Sequence, residues 1–229
     1  KYALDNNSDD SVGTNNLSLV GGSVSYVGYG TNQDAVAFDF GELESDNVVD
    51  LTGEFTVSFW ANEGTPYVYY GNNYSSFFRW GTATGSYFDL YLLNGKIRTQ
   101  HNNATSGWGD NRGSVAVPAG WNHYAMTIDP STGSKIVYLN GVAQTLTGPA
   151  FTGTFAASQK VFLGNTSLSD TGMRLNGGQM DDVRIWDRVL EASEIAAIAA
   201  AGADETTVST TPSISIALPA SQVFGESFI

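Results

Sequence analysis

The chain has no cysteine, two histidines, six prolines and only ten lysine and arginine residues among 229. Without cysteine there is no disulfide, no thiolate metal site and no cysteine nucleophile. Ten cationic side chains stand against 23 acidic ones, a formal charge of −13. Such a surface repels a phosphate backbone or an anionic bilayer, which excludes nonspecific binding to nucleic acid or membrane and makes cations the natural counterpart. No stretch nears the ~20 apolar residues of a membrane span; the longest candidate is the alanine-rich run from Ile195 to Ala203. Charged residues make up 14% of the chain, against about 25% in an average domain. A Gly-x-Ser-x-Gly elbow, a glycine-rich phosphate loop, a His-Glu-x-x-His helix and a Cys/His zinc spacing are all missing. The first residue is Lys1 and no charged-then-apolar leader follows it, as expected of a mature protein or an excised portion of one.

What is present is glycine, 26 residues of it, and alternation of apolar with polar residues. In Glu54–Trp60, Phe55, Val57 and Phe59 share one face of a strand and Thr56, Ser58 and Trp60 the other. Asp34–Phe40, Tyr87–Leu93, Trp121–Ile128 and Met180–Trp186 alternate in the same way. Asn94-Gly95 and Asn140-Gly141 each join two such runs, and both dipeptides suit two-residue hairpin turns that need positive φ. About twelve strands at this spacing predict a β-sandwich or jelly roll. Leu190–Ala201 has helix formers throughout, apolar Ile195 and Ile198 on one side and Gly202 to stop it. Beyond it, Ala203–Pro212 reads as a threonine-rich linker and Ser213–Leu218 as a new strand. The expected division is therefore one domain over 1–202, and a linker with the first strand of a following module over 203–229.

Several segments, taken in order, resemble the laminin G-like, concanavalin A-like jelly rolls of bacterial extracellular proteins. They are Tyr2–Asp5 with Asp10, Ser11 and Gly13; Ala37–Gly41; Leu51–Trp60; Trp121–Tyr124 with Tyr138–Gly141; and Gly178–Trp186 followed by Leu190, Glu194 and Ile195. The resemblance covers about 1–201 and implies an all-β sandwich of two antiparallel sheets with one short C-terminal helix. It also implies a structural Ca²⁺ joining the opening and closing strands, with Asp5 and Asp181 as side-chain ligands and backbone carbonyls near Phe40-Gly41 completing the shell. Oxygen-rich turns suit that hard cation. Asp5, Asn7 and Asp9 begin like an EF-hand loop, but Asp10 stands where its glycine should be and no glutamate closes it.

Relatives of this fold include glucanases, which set carboxylates on alternate residues of one strand about 5.5 Å apart. The nearest carboxylate cluster here, Glu42-Leu-Glu-Ser-Asp46, follows Gly41 in an expected surface loop, and Asp181-Asp182 would point to opposite faces of a strand. His123 falls in a packing motif, whereas His101 ends a strand and could face a ligand. The richest chemistry is aromatic and amide. Pro66–Trp80 carries Tyr69, Tyr70, Tyr74, Arg79 and Trp80; Arg98 precedes His101–Arg112, which holds Trp108, Asp110, Asn111 and Arg112; a third segment, Asn165–Gly178, holds Asp170, Arg174 and Asn176. Read as loops, these offer rings to stack on the C–H face of a sugar and polar groups for its hydroxyls. Trp60, Trp121 and Trp186 belong to the core, while Trp80 fits either a site or the core. The expectation is a noncatalytic carbohydrate-binding or adhesion module, monomeric within a longer secreted or cell-surface chain. The alternatives are a structural spacer or protein-binding module, and a glycan-cleaving enzyme acting through Glu42 or Glu44.

Overall fold

The computed structural model describes residues 1–4, 7–28, 34–82, 85–103, 107–155, 157–165 and 174–202. Asp5, Asp170 and the linker and strand expected over 203–229 lie outside them. Fourteen strands and one helix are formed among the described residues. In chain order they are β1 (Leu17–Gly28), β2 (Asp34–Ser45), β3 (Phe55–Asn62), β4 (Tyr67–Tyr69), β5 (Asn72–Gly81), β6 (Tyr87–Leu93), β7 (Lys96–Asn103) and β8 (Gly107–Ala116), then β9 (Trp121–Asp129), β10 (Ser134–Leu139), β11 (Val142–Gln144), β12 (Leu146–Thr147), β13 (Val161–Leu163), β14 (Asn176–Trp186) and α1 (Ala192–Ala201).

Hydrogen bonds run without a break from β11 through β10, β9, β3, β14 and β2 to β13, β5, β6, β7, β8 and β12, with every pairing antiparallel. β2 turns the ribbon over. Its first half pairs β14 through Val36, Ala37 and Asp39, and its second half pairs β13 through Leu43 and Glu44. Between the halves Phe40 adopts φ 50°. β1 follows β2 around the same corner, where Gly22 at φ +66° leaves no room for a side chain: a Cβ there would lie 1.9 Å from the Phe40 carbonyl oxygen. The two halves of the ribbon pack face to face through aromatic rings. Phe55 of β3 stacks on Phe88 of β6 at 4.6 Å, and Phe59 meets Phe77 at 5.7 Å and Tyr124 at 5.4 Å. A register shift between Ser76 and Phe78 lets both Phe77 and Phe78 turn inward.

Both expected hairpins form, with Asn94 and Gly95 at φ 53° and 68° and Asn140 and Gly141 at 50° and 79°. The helix runs over Ala192–Ala201 as its composition predicts, with Glu191 and Glu194 forming a reciprocal capping box. Ile195 and Ile198 pack with Leu190, Trp186, Tyr138 and Ala125 on the outward face of the β10–β9–β3–β14 sheet. The segment leading to it is held by one buried hydroxyl, since Thr56 Oγ1 donates to the Arg188 carbonyl at 2.8 Å and accepts from the Leu190 amide at 2.9 Å. Thr56→Val keeps the shape and removes both bonds, which should cost about 2 kcal/mol. Hydrogen exchange should show α1 opening ahead of the β3–β9 ladder, and equal protection of both would contradict this account.

His123 lies fully buried on that same face, tilted against Trp60 at 5.5 Å. Burial lowers its pKa to about 4, with Arg184 adding to the effect and Asp182 opposing it. Its unfolded value is about 6.5, so the folded state holds it neutral. The stability this contributes is complete above pH ~6.5 and is lost as pH falls toward 4. His123→Phe should therefore shrink the loss of unfolding free energy between pH 7 and pH 4.5 by about 2–3 kcal/mol. Urea titrations at the two pH values measure it; an unchanged difference would mean that the imidazole has the same pKa folded as unfolded.

Candidate functional site

Strands β5 to β8 form one half of the sandwich, and their inward residues are set by the core: Phe78 and Trp80, Phe88, Leu90 and Leu92, Ile97 and Thr99. Side chains alternate along a strand, so the residues between these turn outward. The registers place Tyr87, Asn102 and Trp108 side by side in one row, Arg79, Asp89, Gln100 and Asp110 in the next, and Tyr91, Arg98 and Arg112 in a third. The sequence signal for Tyr87, Asp89 and Tyr91 was the polar phase of a strand whose apolar phase is core. Reading only the flanking segments as candidates missed them.

Asp110 organises the far side of this face. Arg98 closes on it with two bonds, Nε to Oδ1 at 2.9 Å and Nη2 to Oδ2. Arg112 places both Nε and Nη2 3.0 Å from the same Oδ2. Its side chain stays 63% exposed while that of Arg98 is 14% exposed. Trp108, one row away on the same strand, is 60% exposed and shares its row with Asn102 and Tyr87. Trp108, Asp110, Arg112, Thr147, Gly148 and Pro149 line a shallow groove along β8.

On the near side, Arg79 lies 4.2 Å over the Tyr87 ring and donates through Nε to the Gly81 carbonyl. Asp89, buried beside it, accepts the Gln100 amide at 2.7 Å. Burial pushes the Asp89 carboxyl up to about 7, against the opposing pull of Arg79 and of that amide. Tyrosines continue the face toward the β4–β5 turn: Tyr74 stacks on Tyr91 at 6.2 Å and meets Tyr69 edge-on at 6.2 Å, and Tyr69 contacts Tyr70 at 4.5 Å. Tyr70 is the turn residue, 88% exposed at φ 46°.

The segments read as loops are thus mostly hairpin strands, and their alternation divides the candidates. Tyr74, Arg79, Arg98, Trp108, Asp110 and Arg112 share the outward face, with Tyr69 and Tyr70 at its margin. Trp80, His101 and Asn111 do not belong to it. Trp80 is core, stacked on Phe88 at 5.5 Å with its Nε1 donating to the Val49 carbonyl. His101 points inward against Phe151 and lies 3.1 Å from Lys135 Nζ. Burial and that lysine hold the imidazole at about 4. Gly109 is what admits it, since a Cβ there would fall 2.2 Å from the ring. Asn111 accepts from Lys135 and donates to the Pro149 carbonyl.

The acidic residues considered for chemistry are tied up. Glu42 and Glu44 lie on β2 rather than in a loop. Glu42 is buried against Arg174 at 3.1 Å and Asn165 at 3.0 Å, and Glu44 pairs with Lys160. At Asp181-Asp182 the strand is bulged, with Asp182 at φ 48°, so simple alternation does not hold there. Asp182 binds Arg184 and Lys1 Nζ, and buried Asp181 accepts the Asp182 amide at 2.6 Å. Of the calcium shell that the resemblance implies, Asp5 lies outside the described residues and Asp181 is buried. The Phe40 carbonyl beside Gly41 accepts from the Arg174 guanidinium at 3.2 Å. No group of three or more His, Cys, Asp or Glu among the described residues is arranged to hold a metal ion.

Comparison with known proteins agrees with this architecture. Residues 32–196 match the family described as the concanavalin A-like lectin/glucanases superfamily. Domain 4 of AbnA, a GH43 extracellular arabinanase from Geobacillus stearothermophilus solved in complex with arabinotriose, is similar with a TM-score of 0.67 at 20% identity, over 86% of this chain and 96% of that one. The botulinum neurotoxin serotype G binding domain gives 0.62 at 14% identity, over 83% of this chain and 47% of that one. The SAP-like pentraxin of Limulus polyphemus gives 0.53 at 15%, over 69% and 75%. No curated protein matches in sequence. Of these structures one holds arabinotriose and one is a neurotoxin binding domain, while the family's description also includes glucanases. At these identities the structural likeness shows the fold alone, but the family match extends over most of the sequence: the chain belongs to the concanavalin A-like lectin/glucanase superfamily, with that fold's antiparallel jelly roll and one short C-terminal helix.

Proposed function

We propose that this chain is a noncatalytic glycan-binding module of a secreted or cell-surface protein, and that the outward face of β5–β8 is its binding surface. The observation that carries the reading is Trp108. An indole 60% exposed on a strand rather than on a loop tip is positioned by the pairing of β8 with β7, in one row with Asn102 and Tyr87. A sugar ring stacks on such a surface through its C–H face, and the Arg112, Gln100 and Asn102 side chains supply directional partners for hydroxyls. Strand-borne groups lose little freedom on binding, which favours affinity from few contacts. The arabinotriose bound by the arabinanase domain makes arabino-oligosaccharides the first ligands to try, and the extracellular setting of that enzyme supports a similar location here.

The test is a glycan array followed by calorimetric titration of the strongest ligand, each run with millimolar Ca²⁺ and with EDTA. Binding in both conditions is the expected result. Trp108→Ala should weaken it at least tenfold while leaving the melting temperature within about 2 °C, because the ring contributes little to the core. An empty array in both conditions would overturn the reading in favour of a spacer or protein-binding module. Binding lost only in EDTA would shift the site toward a metal involving Asp5 and Asp181.

A further inference from the structure

Charge on this protein is distributed unevenly. Strands β5 to β8 carry six charged side chains, Arg79, Lys96, Arg98, Arg112, Asp89 and Asp110. Their even spacing places all six in the outward phase. Four of the ten cations and two of the 23 acids are therefore gathered here. With both carboxylates ionised the face is net +2, and the rest of the chain is left at −15. A chain poor in cations that gathers four of them on this aromatic-lined face presents a local attraction for anions inside a repelling field.

The arrangement around Asp110 is more specific than net charge. One carboxylate holds two guanidinium groups, so the cluster keeps a surplus positive charge after its internal pairing. Arg98 is enclosed while Arg112 is exposed, and Arg112 is anchored through Nε and Nη2 so that its remaining edge is directed away from Asp110. A planar guanidinium fixed in this way suits a planar carboxylate. It stands four residues from Trp108 on β8, about 13 Å along the strand, at the opposite end of the groove that both line. That span fits a short oligosaccharide rather than a single ring.

Resting on the glycan-binding reading, we propose that the ligand is an acidic oligosaccharide bearing uronate carboxylates, with one sugar face on Trp108 and a carboxylate of a neighbouring unit on Arg112, without a bridging metal. This differs from the neutral arabinotriose of the arabinanase domain, and the difference follows from the residues of β7 and β8.

The discriminating pair of probes is trigalacturonate and its methyl ester, which share a sugar skeleton and differ in charge, titrated in EDTA. Trigalacturonate should bind at least tenfold more tightly, and raising the salt from 50 to 500 mM should erase most of that advantage. Arg112→Gln should close most of the gap between acid and ester, whereas Trp108→Ala should weaken both. Ester binding as tightly as the acid overturns the proposal and leaves glycan binding standing. So does acid binding that requires Ca²⁺, preference for a sulfated oligosaccharide over the uronate, or polyglutamate binding as tightly as trigalacturonate. Failure of every glycan on the array and of both probes would remove the binding reading along with it.

Discussion

Packing of Phe55, Phe59, Phe77, Phe78, Trp80 and Phe88 between the two halves of the ribbon decides more than stability. Each ring that enters the core fixes the phase of its strand, and with it the identity of every second residue on the other side. Phe88 and Leu90 inward mean Tyr87, Asp89 and Tyr91 outward; Trp80 inward means Arg79 outward. The outward chemistry is therefore slaved to the core by the two-residue period, and a one-residue slip would bury the charges and expose the rings. The bulge at Ser76–Phe78 is the one adjustment within β5, and it lets two consecutive phenylalanines contribute to the core without losing phase beyond it.

Much of the architecture could be read from the sequence because it is written locally. Asn94-Gly95 and Asn140-Gly141 announced their turns, the alternation of Glu54–Trp60 announced an inner strand, and the isoleucine spacing after Leu190 announced the helix. Segments rich in glycine, asparagine and serine were harder. Pro66–Trp80 and His101–Arg112 look like loops by composition, yet β4 pairs with β5 and β7 with β8, because cross-strand partners satisfy their backbones. The same nonlocality hid the divided candidate list. Asp110 and Asn111 are neighbours in sequence and similar in chemistry, but only the core tells which of them faces outward. Nor could Glu42 be recognised as buried, since its partners Asn165 and Arg174 lie more than 120 positions away.

Asp110 shows how a carboxylate can act without touching a ligand. By engaging two guanidinium groups it removes their freedom and sets the plane of the exposed one, so it serves as a template rather than a contact. Gly109 and Gly107 have comparable indirect roles on either side of Trp108. Gly107, at φ 65°, is the first residue of β8, and Gly109 makes room beneath the sheet for His101, on which Lys135 and Phe151 converge. The exposed tryptophan is thus flanked by positions where no side chain can intrude.

The way the two described ends of the structure are fastened has a mechanical meaning. Tyr2 pairs with Val183 through both backbone bonds, at 2.8 and 2.9 Å, and β14 leads directly into the segment that Thr56 ties to the sheet ahead of α1. Tyr2 is therefore bound to β14, and the segment leading to position 202 is tied to the adjoining strand β3. Because the Tyr2–Val183 bridge is antiparallel, tension applied between positions 1 and 202 would peel it from one end before reaching β5–β8, whose hydrogen-bonded path to β2 runs through the three-residue strand β13. The surface assigned to ligand stands beyond that first point of yielding, so its geometry would persist while the ends begin to part.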